Sequence, residues 1–226
     1  MKERKYDAIV HYMMATCGGF LGVYGLIHRL NIFGSAQTMN LIGTIGDIVG
    51  RDFDEMALRI GAILIYVASI ILATVLEKKT KLHMKYLVIG LEFLVICLLS
   101  FFPKNMNPML AVYPIFFITA FQWCVFKGAK GYVSSTIFST NNLKQAVTAW
   151  IEYYLLDRSQ EEERKEKLTK AKFFGGTLAG FHMGVLYGYL ISFVFDIESI
   201  WFCVPILLIV LMLMLIDDGI IRKNFI

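Results

Sequence analysis

Residues 35–41 read SAQTMNL, and residues 137–143 read IFSTNNL. Each stretch sets serine, threonine, glutamine or asparagine between long apolar runs, where a lipid-facing helix would carry none of them. The setting is hydrophobic: 57% of the 226 residues are apolar, and the mean hydropathy is +0.62. Charged residues make up 18%, against the roughly one quarter usual in a soluble domain. They are also clustered. Residues 60–76, 86–102 (interrupted by Glu92), 108–126, 173–195 and 199–216 each approach or exceed the roughly 18–20 residues needed to cross a bilayer. The pattern is that of an all-α integral membrane protein. The basic start (Lys2, Arg4, Lys5) leads into an apolar run reaching Leu30 without a small-residue cleavage pattern, so it reads as a retained first span with a cytoplasmic amino end. The net charge of +4 flanks membrane segments and does not point to nucleic acid.

Eight helical segments can be drawn, at about 7–30, 36–50, 57–77, 84–102, 108–127, 133–156, 171–195 and 198–216. If all eight crossed, Lys78, Lys79, Lys81 and Lys85, and later Lys127 and Lys130, would fall outside. That arrangement violates the positive-inside rule in short loops, where it is strongest. If 36–50 and 133–156 dip in and return, those lysines move inside with the charged stretch 157–172 and with Arg222 and Lys223. Arg29, Arg51, Arg59 and Lys104 are then the exceptions. The expected fold has six transmembrane helices plus two re-entrant or short broken helices, with both termini cytoplasmic. For the first dip, length agrees: about fifteen helical residues rise about 22 Å, short of the roughly 30 Å hydrocarbon core. The second is long enough to span, and there the charges and the polar middle decide.

Both polar stretches contain T-x-N-L, at 38–41 and 140–143, an offset of 102 residues (140 less 38). Each follows one span and precedes two more, so the halves 7–102 and 108–216 would run in opposite directions. That is an inverted repeat within a single membrane domain, a plan in which sites form near the midplane at broken helices. The segments GGFLGVYGLI (18–27) with FGSAQTMNLIG (33–43), and FFITAFQWCVFKG (116–128) with STIFSTNNLKQAV (135–147), resemble the YoaK-like family of bacterial inner-membrane proteins. The resemblance covers most of the chain. It implies an inner (plasma) membrane location and this architecture, and little biochemistry, the family being largely of unknown function. Family motifs carry glycine-phenylalanine-x-aspartate and methionine-threonine-glycine-asparagine. Here the aspartate falls at Gly22, a second-half asparagine at Trp123, and the motif glycines at Met39 and Asn141.

Several residues are candidates for chemistry. Glu92 lies mid-span, where a carboxylate costs at least about 2.5–3.5 kcal/mol, so it reads either as a proton or ion relay or as a neutral carboxyl packed between helices. His182, also mid-span, is its most attractive partner. Gly176, Gly180, Gly184 and Gly188 form an i, i+4 ladder, and Gly18 and Gly22 share the spacing; such faces allow close helix packing and offer a surface for a homo-oligomer. Glu161/Lys165, Glu163/Lys167 and Glu166/Lys170 predict that 157–172 is a helical cytoplasmic connector. Cys17, Cys97, Cys124 and Cys203 lie in apolar runs and read as buried thiols, with no metal site. HExxH, GxSxG and GxxxxGK[ST] are absent, as a non-enzyme without a cofactor would have it. The functional expectation is a permease for a small polar or anionic solute, its pathway between the halves lined by Ser35, Gln37, Thr38, Asn40, Thr140, Asn141 and Asn142. Helix starts at membrane depth present free N–H groups suited to such solutes. The alternative is a membrane scaffold or regulatory partner.

Overall fold

The computed structural model describes residues 5–30, 33 and 35–221. Among them the apolar runs form α1 (Asp7–Gly25, continued by a π-helical turn Leu26–Leu30), α3 (Phe53–Lys79), α4 (Met84–Ser100), α5 (Pro108–Val125), α7 (Glu161–Phe195) and α8 (Val204–Asp217). Two shorter helices, α2 (Gln37–Gly50) and α6 (Thr140–Leu155), follow the polar stretches. The basic ends at Lys2, Arg4, Arg222 and Lys223 lie outside the described residues.

Local chemistry sets several boundaries. Asp52 caps α3 by accepting from the Glu55 N–H, with Asp54 and Glu55 in the first turn and Lys78 and Lys79 in the last, each sign matched to the helix dipole. Asn107 caps α5 through the N–H groups of Met109 and Leu110, and Pro108 opens the helix where no donor is needed. α2 ends on Arg51 in the left-handed region (φ 61°).

One expected element is different. The segment expected to be helical over 133–156 starts instead as a two-residue hairpin, β1 (Gly128–Ala129) with β2 (Tyr132–Val133), then runs irregularly to Ser139. The hairpin turns on Lys130 and Gly131, both at positive φ. Helix α6 therefore has only 16 residues, a rise of about 24 Å, shorter than the expected 133–156 segment. The connector is helical as expected but continuous with the helix after it, making α7 35 residues long. Lys165 pairs with Glu161 at 3.0 Å as the spacing predicts, whereas Lys167 turns away from Glu163 to Glu152 of α6 at 3.0 Å.

Among the described residues, four stretches are long and apolar enough to cross a membrane: Asp7–Arg29, Phe53–Lys79, Pro108–Val125 and Glu161–Asp217. The last is folded on itself at Asp196 (φ 47°), where an eight-residue 3-10 segment (Asp196–Cys203) joins α7 to α8. Contacts give the helix directions. Along α7, Gly176, Gly184 and Gly188 meet Tyr12, Thr16 and Val23 in order, so α7 is parallel to α1. Tyr6 N–H donates to Asp217 while Tyr24 Oη donates to the Ile197 carbonyl, so α8 is antiparallel to α1. Tyr113 bonds the Leu58 carbonyl and Lys127 bonds Glu77, so α3 and α5 are parallel. Lys85 and Tyr86 at the start of α4 reach Asp7 and Asp218. Helices α1, α4 and α7 thus run one way, and α3, α5 and α8 the other.

The core lies between these six helices, where Met14, Phe20, Leu21, Ile96, Phe116 and Phe121 are buried. A smaller cluster, with Phe173 and Phe174, fills the space beside the hairpin. Leu64, Ile71, Leu94, Phe193 and Leu208 cover the outside and are exposed, as suits a lipid-facing surface.

Candidate functional site

Two glycines one helical turn apart on α1 seat the two polar stretches. The Phe33 ring lies against Gly22, and the Thr136 carbonyl lies against Gly18, so a Cβ at either position would collide. The segments thereby reach deep beside α1 before turning into α2 and α6. They meet there: Ser35 Oγ donates to the Ile137 carbonyl at 3.1 Å, a pair of buried groups separated by the repeat offset of 102 residues. Beside this bond is a pocket of about 220 Å³ lined by Phe33, Ser35, Phe138, Ser139, Thr140 and Phe181, among others. Helix α2 starts after Ala36 and α6 after Ser139, and neither has a side-chain cap. Both helix starts therefore adjoin one small pocket, α6 through Thr140 and α2 through Ala36 just before its first turn, and each brings its positive end towards it.

The candidate lining residues divide into four groups. Ser35 and Thr140 line the pocket. Gln37 and Asn40 occupy the first turn of α2, where Asn40 Nδ2 donates to Gln37 Oε1 at 3.2 Å, leaving Asn40 Oδ1 and Gln37 Nε2 buried and without partners among the described residues. Asn142 is saturated by its own loop: Nδ2 donates to the Ser135 and Phe138 carbonyls at 2.7 and 3.0 Å, and Oδ1 accepts from Ser134 at 2.9 Å. Thr38 and Asn141 are exposed on the outside of their helices. No hydrogen bond joins Asn40 to Asn142 among the described residues. A second polar brace comes from Gln122 on α5, whose Nε2 donates to the Met14 carbonyl and to Thr136 Oγ1, both at 2.8 Å, while its Oε1 is buried without a partner among the described residues.

Glu92 is fully buried on α4, with neither carboxyl oxygen partnered among the described residues. Its neighbourhood includes Cys17 and Cys203, whose thiols lie against one another. His182 is exposed on α7 and uses Nδ1 on the Leu178 carbonyl of its own helix at 2.9 Å. The two were expected as partners, yet no hydrogen bond links them, because His182 points away from the core that encloses Glu92.

Sequence reasoning did not anticipate the cluster at the opposite helix ends. His28, in the π-helical turn, has Nε2 3.0 Å from Ser192 Oγ and 3.3 Å from Ser199 Oγ, while Nδ1 is 3.4 Å from Asp196 Oδ1. Asp196 also pairs with Lys104, and that hydrogen bond raises the lysine's pKa above its ordinary value. Arg29 donates to the Pro103 and Phe102 carbonyls. The partners of His28, Arg29 and Lys104 lie 73 to 171 residues away in sequence, so no local motif could have revealed them. The glycine ladder is filled within the chain: Gly180 and Gly184 lie against the backbone carbonyls of Tyr12 and Thr16, the close packing expected of small residues.

Residues 10–213 match the family described as a protein of unknown function, DUF1275. The chain belongs to that family. This agrees with the YoaK-like resemblance and spans both polar stretches and every candidate residue named above. No curated protein and no solved structure matches.

Proposed function

We propose that this family member is a permease for a small anion or polar neutral solute, built as an inverted repeat of six crossings and two re-entrant helices. The carrying observation is the convergence of two uncapped helix starts on the 220 Å³ pocket at the Ser35–Ile137 bond. Free N–H groups at two helix ends favour a partial or full negative charge on the solute, and the phenyl walls limit its size.

The repeat is supported by reciprocal contacts. Tyr12 of α1 covers Gly176 of α7, and Tyr113 of α5 covers Gly61 of α3. The Thr16 carbonyl lies against Gly184, and the Phe117 carbonyl accepts from Ser69. The buried positions of α3 and α7 match at one spacing, Ala62/Thr177, Tyr66/Phe181, Ser69/Gly184 and Ala73/Gly188, each 115 apart (177 less 62). Those of α4 and α8 match at another, Val88/Ile206, Ile89/Leu207, Glu92/Val210, Val95/Leu213 and Ile96/Met214, each 118 apart (206 less 88). Exchange of α1–α4 with α5–α8 also returns the same neighbours: α1 packs on α7 as α5 packs on α3, α2 on α3 as α6 on α7, and α4 on α5 as α8 on α1.

The charges support the orientation. At one end Lys78, Lys79, Lys81 and Lys130 have no carboxylate partner among the described residues. At the other, Arg59 is held by Asp47 at 2.8 Å and Glu55 at 3.1 Å, Lys104 by Asp196, and Arg29 by carbonyls. The uncompensated cations mark the cytoplasmic side of a bacterial inner membrane, with both termini there. In this reading Ser35 and Thr140 contact solute, Gln37 and Asn40 sit behind them, Asn142 holds the loop, and Glu92 is the proton-coupling group. His182, on the outer face of α7, has no contact with that carboxyl. The test is flux into vesicles reconstituted with the purified protein, using halide, nitrate, formate and urea against protein-free vesicles. Uptake of at least one above the protein-free rate is expected; equal rates for the whole panel would remove the proposal.

A further inference from the structure

A larger cavity lies elsewhere. It measures about 690 Å³ and opens where α1 and α4 begin and α3, α5 and α8 end. Its polar wall carries Lys85, Lys127 and Lys130 against Asp7 and Glu77, and its apolar wall includes Met84, Val125 and Met214. Lys85 Nζ is 2.6 Å from Asp7 and Lys127 Nζ 2.7 Å from Glu77, so both ammonium groups are fixed in place. Lys130 stands at the tip of the hairpin and forms no ion pair among the described residues. Three lysines against two carboxylates leave one positive charge in excess. Helix α4 adds to it: no side chain caps its start, and its first two residues, Met84 and Lys85, line the cavity.

A bare inorganic anion would fill little of this space, which lies in the size range of cavities that enclose a whole organic ligand. The wall is divided between fixed cations and apolar side chains, so the matching ligand is an amphiphile with a phosphate at one end. The height is also that of a membrane interface, since the cavity lies beside Lys78, Lys79 and Lys81 at the helix ends assigned above to the cytoplasmic side. Basic pockets between helix ends on that side attract anionic headgroups.

We infer that this cavity binds the phosphate of an anionic glycerophospholipid from the inner leaflet, held by Lys85, Lys127, Lys130 and the start of α4, with the apolar wall receiving the adjoining chain. The inference rests on the proposed orientation and is independent of transport. It is tested by thermal unfolding of the full chain in a neutral detergent, titrated with short-chain phosphatidylglycerol, with the uncharged diacylglycerol of the same chains, or with inorganic phosphate. Phosphatidylglycerol should raise the midpoint and diacylglycerol should not. Lys130→Asn removes the charge while tolerating the left-handed backbone at φ 53°, and should weaken the apparent affinity about fivefold without moving the ligand-free midpoint. Lys127→Gln should weaken it similarly, and Lys165→Gln on the charged start of α7 should not. If inorganic phosphate stabilises as well as the lipid and shows the same lysine dependence, the anion site stands and its ligand is soluble. No stabilisation by either phosphate compound, or stabilisation that ignores both Lys127 and Lys130, would overturn the site. Since binding is read without flux, an inactive transporter would leave this result unaffected.

Discussion

In the proposed repeat Glu92 of α4 corresponds to Val210 of α8, one a carboxyl with no partner among the described residues and the other a plain hydrocarbon. Packing needs only the hydrocarbon. An unpartnered buried polar group costs about 1–3 kcal/mol by mutational measures, so Glu92→Leu should raise the stability of the detergent-solubilised protein by a comparable amount. If the carboxyl carries protons, the same substitution, and Glu92→Gln with it, should abolish the pH dependence of flux; an unchanged pH profile would reduce Glu92 to packing. The asparagines separate in the same way. Asn142→Ala orphans the Ser134 hydroxyl and two carbonyls, and should cost about 1–3 kcal/mol in a thermal or denaturant unfolding measurement. Asn40→Ala removes one bond within its own helix and should cost about 1 kcal/mol or less. Equal losses would contradict the bracing role given to Asn142. The sequence showed that both residues sit at helix starts, but not that one is consumed by its loop, because the loop's path depends on contacts with α1 and α5.

At the scale of elements, close approach governs. A side chain at Gly184 or Gly19 would meet the backbone carbonyl of Thr16 or Phe181, whereas Gly175, on the same α7, faces open space. Gly184→Leu should therefore abolish the monodisperse folded peak in size-exclusion chromatography, and Gly175→Ala should leave it intact. Loss of both, or of neither, would refute the α1·α7 packing. Helix existence and order were legible from hydropathy, and the positions of α2, α4 and α5 were legible to within a few residues at most ends. The start of α6 was not. VSSTIF (133–138) has no charge, glycine or proline to separate it from the helix that follows, and what excludes helix there is tertiary: Gly18 admits the Thr136 carbonyl, Asn142 holds the Ser135 and Phe138 carbonyls, and Gln122 holds the Thr136 hydroxyl. The Lys167–Glu152 pair was likewise invisible, since i, i+4 spacing favours Glu163 until α6 is packed beside α7.

For the whole molecule, opposite exposure of the two helix ends is the first requirement. In a background free of native cysteines, single cysteines replacing Lys81 and Glu198 should react with a membrane-impermeant maleimide only from the inside and only from the outside, respectively. Labelling of both from one side would reverse the assignment of the unpaired lysines and remove the six-crossing arrangement. The charge distribution is what suggests this proposed topology, yet the two ends differ more than the counts reveal. Of the exceptions in the sequence, Arg59 and Lys104 are paired with carboxylates and Arg29 is held by the Pro103 and Phe102 carbonyls, while Arg51 forms no ion pair among the described residues. The basic cavity was beyond sequence reasoning for the same reason, being assembled from separated elements, whereas Ser35 and Thr140 of the smaller pocket were named from the sequence. The central claim is that two inverted halves share one solute site where α2 and α6 begin. Ala36 and Ser139 both line that pocket, one from each half. The direct measurement is solute flux in reconstituted vesicles for Ala36→Trp and for Ser139→Trp, each checked for a folded, monodisperse protein. The account predicts that either indole, introduced from either half, reduces flux at least tenfold. Wild-type flux in both folded variants would contradict it.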